Sequence, residues 1–297
     1  MFLLADYLRL IRVKHYIKNL LIFAALLFSG QLVLLNKLRD CLIGFFVFCL
    51  ISSAVYIVND IKDKDKDRLH PQKCNRPIAS NKITVKNAII TAIVCLILAS
   101  VLFCLIFNVW ALLFLFIYVV INILYSFGLK NIPLLDVSIL VAGFLIRVVY
   151  GAIITDIKVS GWLYLTVISI SFFLSFGKRR NELKQIGNTG TREALKGYGI
   201  GFLERCMYMC LTMANTYYAL WAMSNVNNVN NEKKVMTVPI VMLISLKYCL
   251  DIEKDTSDGD PTEVLLQDKI LILLCLLYAV LIIGILYLDN TRGWIGL

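Results

Sequence analysis

Long apolar runs alternate with short polar ones along almost the whole chain. Nine of the runs approach the roughly 20 residues that a membrane-spanning helix needs. They fall near 18–35, 41–58, 84–107, 109–128, 136–155, 160–177, 206–224, 235–250 and 270–289. The eighth is short and carries Pro239 and Lys247. The runs do not alternate with period two, which argues against a transmembrane β-barrel. The expected fold is all-α: a polytopic membrane bundle of about nine helices forming one domain over 1–297. Residues 1–17 carry recurrent charges (Asp6, Arg9, Arg12, Lys14) before a long apolar run without a small-residue cleavage pattern. They read as an amphipathic helix lying on the membrane rather than a signal peptide.

Composition agrees with that picture. Hydrophobic residues make up 59% of 297, against about 45–50% in soluble domains. Placing the N-terminus in the cytosol puts 23 of the 30 Lys and Arg on cytoplasmic segments and 6 on the other side, with Arg147 inside a span. That asymmetry predicts a cytoplasmic N-terminus. The net charge of +10 then suits an anionic leaflet and anionic substrates, and it requires no nucleic acid. The nine cysteines include no CxxC pair. Cys206 and Cys210 share a helix face, but buried cysteine is a common small hydrophobe, so no disulfide or zinc site is expected. His15 and His70 are too few for a histidine metal centre. The Asn-rich stretch 225–234 reads as a solvated loop. The two largest cytoplasmic loops follow spans 2 and 6, a slight hint of two related four-helix halves.

Polar chemistry gathers at 9–19, 59–86, 125–136, 178–205 and 247–269. Residues 59–78 read NDIKDKDKDRLHPQKCNRPI. Asp60, Asp63 and Asp67 are three and four apart, so continuing span 2 as a helix puts them on one face. Asn59 lies one turn before Asp63 and offers a neutral oxygen. Mg²⁺ favours a few carboxylates together with substrate phosphates and water. Arg68, Lys73 and Arg76 follow, as partners for phosphate oxygens. A solvated loop whose acids are neutralised by Lys62, Lys64 and Lys66 fits the same spacing, and both readings stand at this point.

The other segments are less specific. Lys178, Arg179 and Glu182 close span 6, where basic residues commonly anchor a helix. Thr191 is placed to cap a short helix from Arg192. Tyr125, Lys130 and Asp136 flank the connection between spans 4 and 5. Arg147 lies about 16 Å beyond Asp136 at 1.5 Å per residue. An ionised residue at that depth faces the bundle interior or a polar cavity and is a functional candidate, although backbone carbonyls could also satisfy it. Lys18 and Asn19 precede span 1, as membrane anchors or as the edge of a pocket.

Taken together these motifs resemble the UbiA-type intramembrane prenyltransferases, and more narrowly their decaprenyl-phosphate phosphoribosyltransferase branch. The pieces are RVKHYIKN at 12–19, NDIKDKDKDRLHPQKCNRPIA at 59–79, YSFGLK at 125–130 with Asp136, GFLIR at 143–147, GKRRNEL at 177–183 and TREALKGY at 191–198. They cover the first two-thirds of the chain. The run DRLHPQKCNRPIA is the most specific of them. The resemblance implies a nine-helix bundle around a cavity open to the cytosol and to lipid, with 59–83 and 178–205 as cytoplasmic active-site loops. The broad family carries a second aspartate-rich motif after span 6. Lys178, Arg179 and Glu182 stand there instead, which favours the phosphoribosyl branch. Thr-Gly-Thr at 189–191 is similar to the phosphate loop of soluble phosphoribosyltransferases, but the acidic pair and strand that precede that loop are missing.

That branch implies a donor, 5-phosphoribosyl 1-pyrophosphate (phosphoribosyl pyrophosphate), and an acceptor, a polyprenyl phosphate. Asp60, Asp63 and Asp67 are then the catalytic and Mg²⁺-holding residues. Arg68, Lys73, Arg76, Lys178 and Arg179 are candidates for donor phosphates. Lys18, Lys130 and Arg147 are candidates for either substrate, with Asn19, Asn59, Tyr125, Asp136 and Glu182 also at the site. Two other functions fit the sequence less well. One is a prenyltransferase joining a polyprenyl diphosphate to an aromatic acceptor. The other is a transporter, which would place its ionisable residues at the midplane rather than crowd them at one face.

Overall fold

A computed structural model describes residues 2–69, 73–186, 193–224, 231–254 and 259–288. Every regular element among these residues is helical. Thr191, Arg192 and most of the Asn-rich 225–234 stretch lie outside the described residues, as does His70.

In place of the helix expected over 1–17 stands the shorter α1 (Phe2–Leu10). It ends where Arg12 adopts a left-handed conformation, φ 56°. A non-glycine residue accepts that at a cost of about 1–2 kcal/mol. A 3₁₀ helix (Val13–Phe23) and the short α2 (Ala24–Phe28) follow. The apolar run at 18–35 is therefore not one α-helix. Two contacts explain the tighter winding. Asn19 is buried and donates to Cys49 Sγ and Ser52 Oγ, and the backbone at Ile22 lies directly against Gly151.

The remaining spans recur near their expected places, but those at 41–58 and 206–224 start six residues earlier and that at 160–177 ends nine residues later. They are α3 (Leu35–Lys62), α5 (Val85–Phe103), α6 (Val109–Phe127), α7 (Leu135–Ile154), α8 (Gly161–Ile186), α9 (Ile200–Met223), α11 (Val238–Ile252) and α13 (Lys269–Ile283). Short helices α4 (Lys64–Arg68), α10 (Asn231–Val235) and α12 (Pro261–Gln267) join them. Polar caps set several of the starts. Thr84 accepts from Asn87 N, Asn108 from Trp110 N and Ala111 N, and Asp268 from Leu271 N, as N-cap side chains do.

Among the described residues seven helices are long and apolar enough to cross a membrane, not nine. The first expected span is the broken 3₁₀ and α2 segment. The 206–224 span lies in α9, which carries Glu204, Arg205 and Asn215 and falls short on composition rather than length. The outward faces of α5 and α13 expose Ile97, Val101, Leu273 and Val280, as helices bathed in lipid do.

Two apolar cores flank α7. One joins Ile22, Val47, Phe48, Phe103, Leu115 and Tyr150, from the 3₁₀ helix, α3, α5, α6 and α7. The other joins Val137, Phe173, Leu203, Met207, Tyr248 and Leu271, from α7, α8, α9, α11 and α13. Helix α7 thus packs on α6, α8 and the 3₁₀ helix at once. The contact with the 3₁₀ helix requires glycine at 151, because a Cβ there would lie 1.9 Å from Ile22 O. The obstruction is backbone and cannot rotate away. Gly151→Ala is expected to destabilise the protein by about 3 kcal/mol, the upper end for overpacking. The check is its thermal unfolding in detergent beside Gly161→Ala, where a Cβ meets nothing within 4 Å.

Candidate active site

A cavity of about 600 Å³ opens between α3, α6, α7, α8 and the α11–α12 connection. Its chemistry divides into four clusters.

The first comes from the aspartate-rich segment. Helix α3 ends with Asp63 as its C-cap, and α4 starts afresh at Lys64. Across the junction Asp63 N still donates to Asn59 O and Asp67 N to Asp63 O, but the three acids take different partners. Asp60 and Asp67, 3% and 5% exposed, converge on a single nitrogen: Arg76 Nη1 donates to Asp60 Oδ1 at 3.0 Å and to Asp67 Oδ2 at 2.7 Å. Arg12, presented by its left-handed turn, also donates to Asp60 Oδ1. Burial raises the Asp67 carboxyl above its ordinary value, and Arg76 opposes that shift. Asp63 turns instead to Lys130, whose Nζ lies 2.7 and 2.6 Å from its two oxygens. Asn59 Oδ1 accepts from Ser126 Oγ at 2.8 Å. Among the described residues no three His, Cys, Asp or Glu side chains form a ready metal cage. Two buried carboxylates aimed at one cation do suit Mg²⁺, which keeps water and substrate oxygens for its other positions.

The second cluster joins wall residues Tyr125, Arg179 and Glu182 to Asp136, which is buried behind them. Asp136 is 0% exposed and Arg179 1%. Arg179 Nε donates to Asp136 Oδ2 at 2.6 Å, Nη1 to Glu182 at 2.9 Å and Nη2 to Tyr125 OH at 3.3 Å. Tyr198 OH donates to Asp136 Oδ1 at 2.6 Å and accepts from Leu134 N.

The third cluster joins Lys18, Lys178 and Asp260. Lys178 donates to Asp260 Oδ2, and Lys18 Nζ is 3.7 Å from Oδ1. The fourth surrounds Arg147, which reaches the cavity from within the bundle. It donates to Asn19 Oδ1 at 2.7 Å, Gly143 O at 2.6 Å and Tyr118 OH at 3.2 Å. Its guanidinium also lies over the Phe48 and Tyr118 rings, at 5.0 and 5.1 Å.

The cavity wall therefore includes Lys18, Asn59, Asp63, Asp67, Lys73, Arg76, Tyr125, Lys130, Arg147, Lys178, Arg179 and Glu182 of the expected residues. Asp60 lies just behind Arg12 and Arg76. Three expected substrate contacts stand off the wall. Asn19 is spent on Arg147, and Asp136 on Arg179 and Tyr198. Arg68 bonds Ala79 O and Asn81 Oδ1 outside the cavity.

Other lining residues were not singled out by sequence, although two stripes carried a signal. Tyr118, Asn122, Tyr125 and Ser126 recur at helical spacing in an otherwise apolar span, and so do Ser175, Lys178, Glu182 and Gln185. Polar residues on one face of a membrane helix mark the side turned away from lipid. Arg12 read as a membrane anchor. Asp260 carried no such signal in a stretch of many acids.

The UbiA prenyltransferase family matches residues 20–187. The decaprenyl-phosphate phosphoribosyltransferase of Corynebacterium glutamicum is 32% identical over 290 residues, spanning 95% of this chain and 86% of the relative. The enzyme of that name from Mycolicibacterium smegmatis is 31% identical, over 92% of this chain and 90% of the relative. In fold the chain is similar to a UbiA homolog from Archaeoglobus fulgidus bound to GPP and Mg²⁺, with TM-score 0.70, 18% identity and coverage of 95% and 99%. A UbiA homolog from Aeropyrum pernix gives TM-score 0.64 at 15% identity, with coverage of 95% and 98%.

The buried pair of the second cluster makes a sharp stability test. Removing one partner of a buried ion pair strands the other and costs about 3–5 kcal/mol. Asp136→Ala is expected to destabilise by about 3 kcal/mol, because Glu182 still compensates Arg179 in part. Chemical denaturation beside Arg68→Ala, off the cavity, measures the difference; equal midpoints for the two variants would contradict it.

Proposed function

The chain belongs to the UbiA prenyltransferase family, and from that premise we propose that this multi-pass membrane protein is a phosphoribosyltransferase. It moves 5-phosphoribosyl from phosphoribosyl pyrophosphate to a polyprenyl phosphate and releases pyrophosphate. The observation that carries the reading is one cavity with convergent carboxylates and two separate groups of cations. Those cations suffice for a diphosphate and a monophosphate together. Relatives 31–32% identical over most of the chain, named for this transfer, support it.

The ribose C1–O bond to pyrophosphate breaks, its electron pair leaving with pyrophosphate, and a new bond forms from C1 to a lipid phosphate oxygen. Asp60 and Asp67, with Asp63 beside them, would hold Mg²⁺. When bound, that ion neutralises charge on the leaving pyrophosphate. Arg76, Lys73 and Lys130 take phosphate oxygens beside the acids. Arg76 is the best placed, because its guanidinium is already oriented by two carboxylates. Asn59 adds a neutral oxygen, held by Ser126. Arg147, fixed by Asn19, Gly143 and Tyr118, supplies a rigid positive charge from within the bundle. The nucleophilic phosphate is ionised at neutral pH, so no general base is needed; alignment and electrostatic stabilisation do the catalysis.

The whole of 1–297 acts as one catalytic unit in this reading, with the N-terminus and the cavity mouth on the cytoplasmic side. The imbalance of Lys and Arg between the two sides supports that orientation, and it gives a soluble sugar donor access to the site.

The deciding experiment is donor choice. Label from phosphoribosyl pyrophosphate is expected to enter the lipid fraction of membranes carrying this protein, and chelation of Mg²⁺ is expected to abolish it. Asp60→Asn and Asp67→Asn are each expected to lower turnover by about 10²–10³-fold, the scale for losing one electrostatic contact at a reacting centre. Label entering only from a polyprenyl diphosphate, onto an aromatic acceptor, would replace this reading with a prenyltransferase. Near-wild-type turnover of both variants would remove the metal assignment.

A further inference from the structure

The third cluster is organised by a carboxylate whose backbone is held in place on both sides. Asp260 is 5% exposed. The preceding Gly259 has φ 73° and lies against α8, where a Cβ would come within 3.0 Å of Asn181 Cβ and 3.1 Å of Gly177 O and Lys178 Cα. Pro261 follows in the first turn of α12, and Asp260 Oδ1 caps that turn by accepting from Thr262 N at 3.0 Å. The carboxylate therefore enters the cavity at a fixed place on the α8 wall.

Two lysines from distant parts of the sequence meet on it, Lys178 at Oδ2 and Lys18 at Oδ1. Burial alone would raise the Asp260 carboxyl. Lys178, Lys18 and the Thr262 N–H instead hold it well below the usual carboxylate range. Two ammonium groups brought together in a closed site repel each other, and one carboxylate between them removes that obstacle. Each ammonium carries three donors, more than a single carboxylate contact uses.

His15 lines the same cavity, and its charge environment includes Lys18, Arg12, Asp260 and Lys178. Burial, then Lys18 and Arg12, push its imidazole down to about 3, so it is neutral at physiological pH. Its Nδ1 is buried without a hydrogen-bond partner among the described residues. A buried polar atom left in that state beside two ammonium groups calls for a polar ligand.

We propose that Asp260 is a positioning residue that sets Lys18 and Lys178, with His15 beside them, as a subsite for a phosphate monoester. This rests on the phosphoribosyl-transfer reading and adds to it a second anion subsite, built from different residues than the Asp60–Asp67–Arg76 cluster. A terminal phosphate carries about −1.5 to −2 charges and three acceptor oxygens near pH 7, which two ammonium groups and an imidazole match. The same chemistry belongs to the 5-phosphate of the sugar donor and to the phosphate of the lipid acceptor.

Asp260→Asn separates charge from structure, because asparagine caps a helix as well as aspartate does. On the full-length protein, KM for each substrate and kcat are measured for wild type, Asp260→Asn, Asp260→Glu, Lys178→Met and the Asp260→Asn/Lys178→Met double variant. Asp260→Asn is expected to raise KM for one substrate about tenfold or more, the scale of one hydrogen bond to a charged group, with kcat within about threefold. Asp260→Glu is expected to recover part of the loss. The double variant is expected to lose less than the sum of the two single losses, since the carboxylate acts in part through that lysine and otherwise through Lys18.

A rise confined to the sugar donor, with weaker binding of ribose 5-phosphate by calorimetry, assigns the subsite to the 5-phosphate. A rise confined to the acceptor, with weaker binding of farnesyl monophosphate, assigns it to the lipid. Unchanged KM for both substrates in an active Asp260→Asn variant overturns the proposal, and so do additive losses in the double variant. If the wild-type protein transfers no phosphoribosyl group, it is the functional reading that has failed. The two binding titrations then still decide the subsite, and equal affinities for wild type and Asp260→Asn overturn it.

Discussion

The ion pair between Arg179 and Asp136 sits where three parts of the chain meet. Asp136 opens α7, Arg179 lies near the end of α8, and Tyr198 follows the short 3₁₀ helix at 193–197. Both oxygens of Asp136 are used, one by Arg179 and one by Tyr198. Tyr198 in turn takes the backbone N–H of Leu134, a residue in left-handed conformation with φ 66°. A guanidinium 1% exposed cannot be left without a counter-charge. The start of α7 and the end of α8 are thereby tied together. The neighbouring cavity groups, Lys178, Glu182 and Tyr125, inherit their positions from that tie.

The same need for compensation runs through the whole cavity. Arg12 and Arg76 meet Asp60 and Asp67, Lys130 meets Asp63, and Lys18 and Lys178 meet Asp260. A bundle surrounded by lipid cannot leave such charges facing hydrocarbon, so it stores them as pairs. In the proposed reading, an anionic substrate entering with Mg²⁺ would not meet bare charge. Its phosphates would share the lysines and arginines with their carboxylates, and Asp60 and Asp67 would hold the ion. Such sharing would keep the cavity near neutrality and limit the desolvation that each arrival otherwise requires.

Much of the fold could be read from the chain because apolar length is a one-dimensional property. The limits of α6 and α7 fall within a residue of the apolar runs that announce them. The entry segment was misread for a reason that composition cannot carry. Residues 18–35 are apolar enough to span, yet Asn19 and the bare backbone of Gly151 wind them more tightly. In the site, most expected cations and acids gather at one cavity, because hydropathy leaves few places for them. Asp60, Asp63 and Asp67 stay near one another across the break at Asp63, but which cation each meets, Arg76 or Lys130, was not legible from spacing. Arg68 looked like its neighbours in sequence but faces Ala79 and Asn81. Asp260 was hidden among other acids of its loop, since what distinguishes it is Gly259 lying against α8.

The backbone contact between Ile22 and Gly151 reaches further than stability. Asn19 lies three residues before Ile22 in a 3₁₀ helix, and Arg147 lies four before Gly151 in an α-helix, so each pair stands one turn apart on one face. The contact therefore fixes the rotational phase of both segments, and Asn19 meets Arg147 as a result. Adding or removing one residue in either turn would swing its polar side chain around by about 100–120°. Apart from Gly151, Asn19 and Arg147 themselves, these two turns tolerate changes in composition but not in length. Insertions and deletions belong in the connections, and here the spacing is itself inherited information.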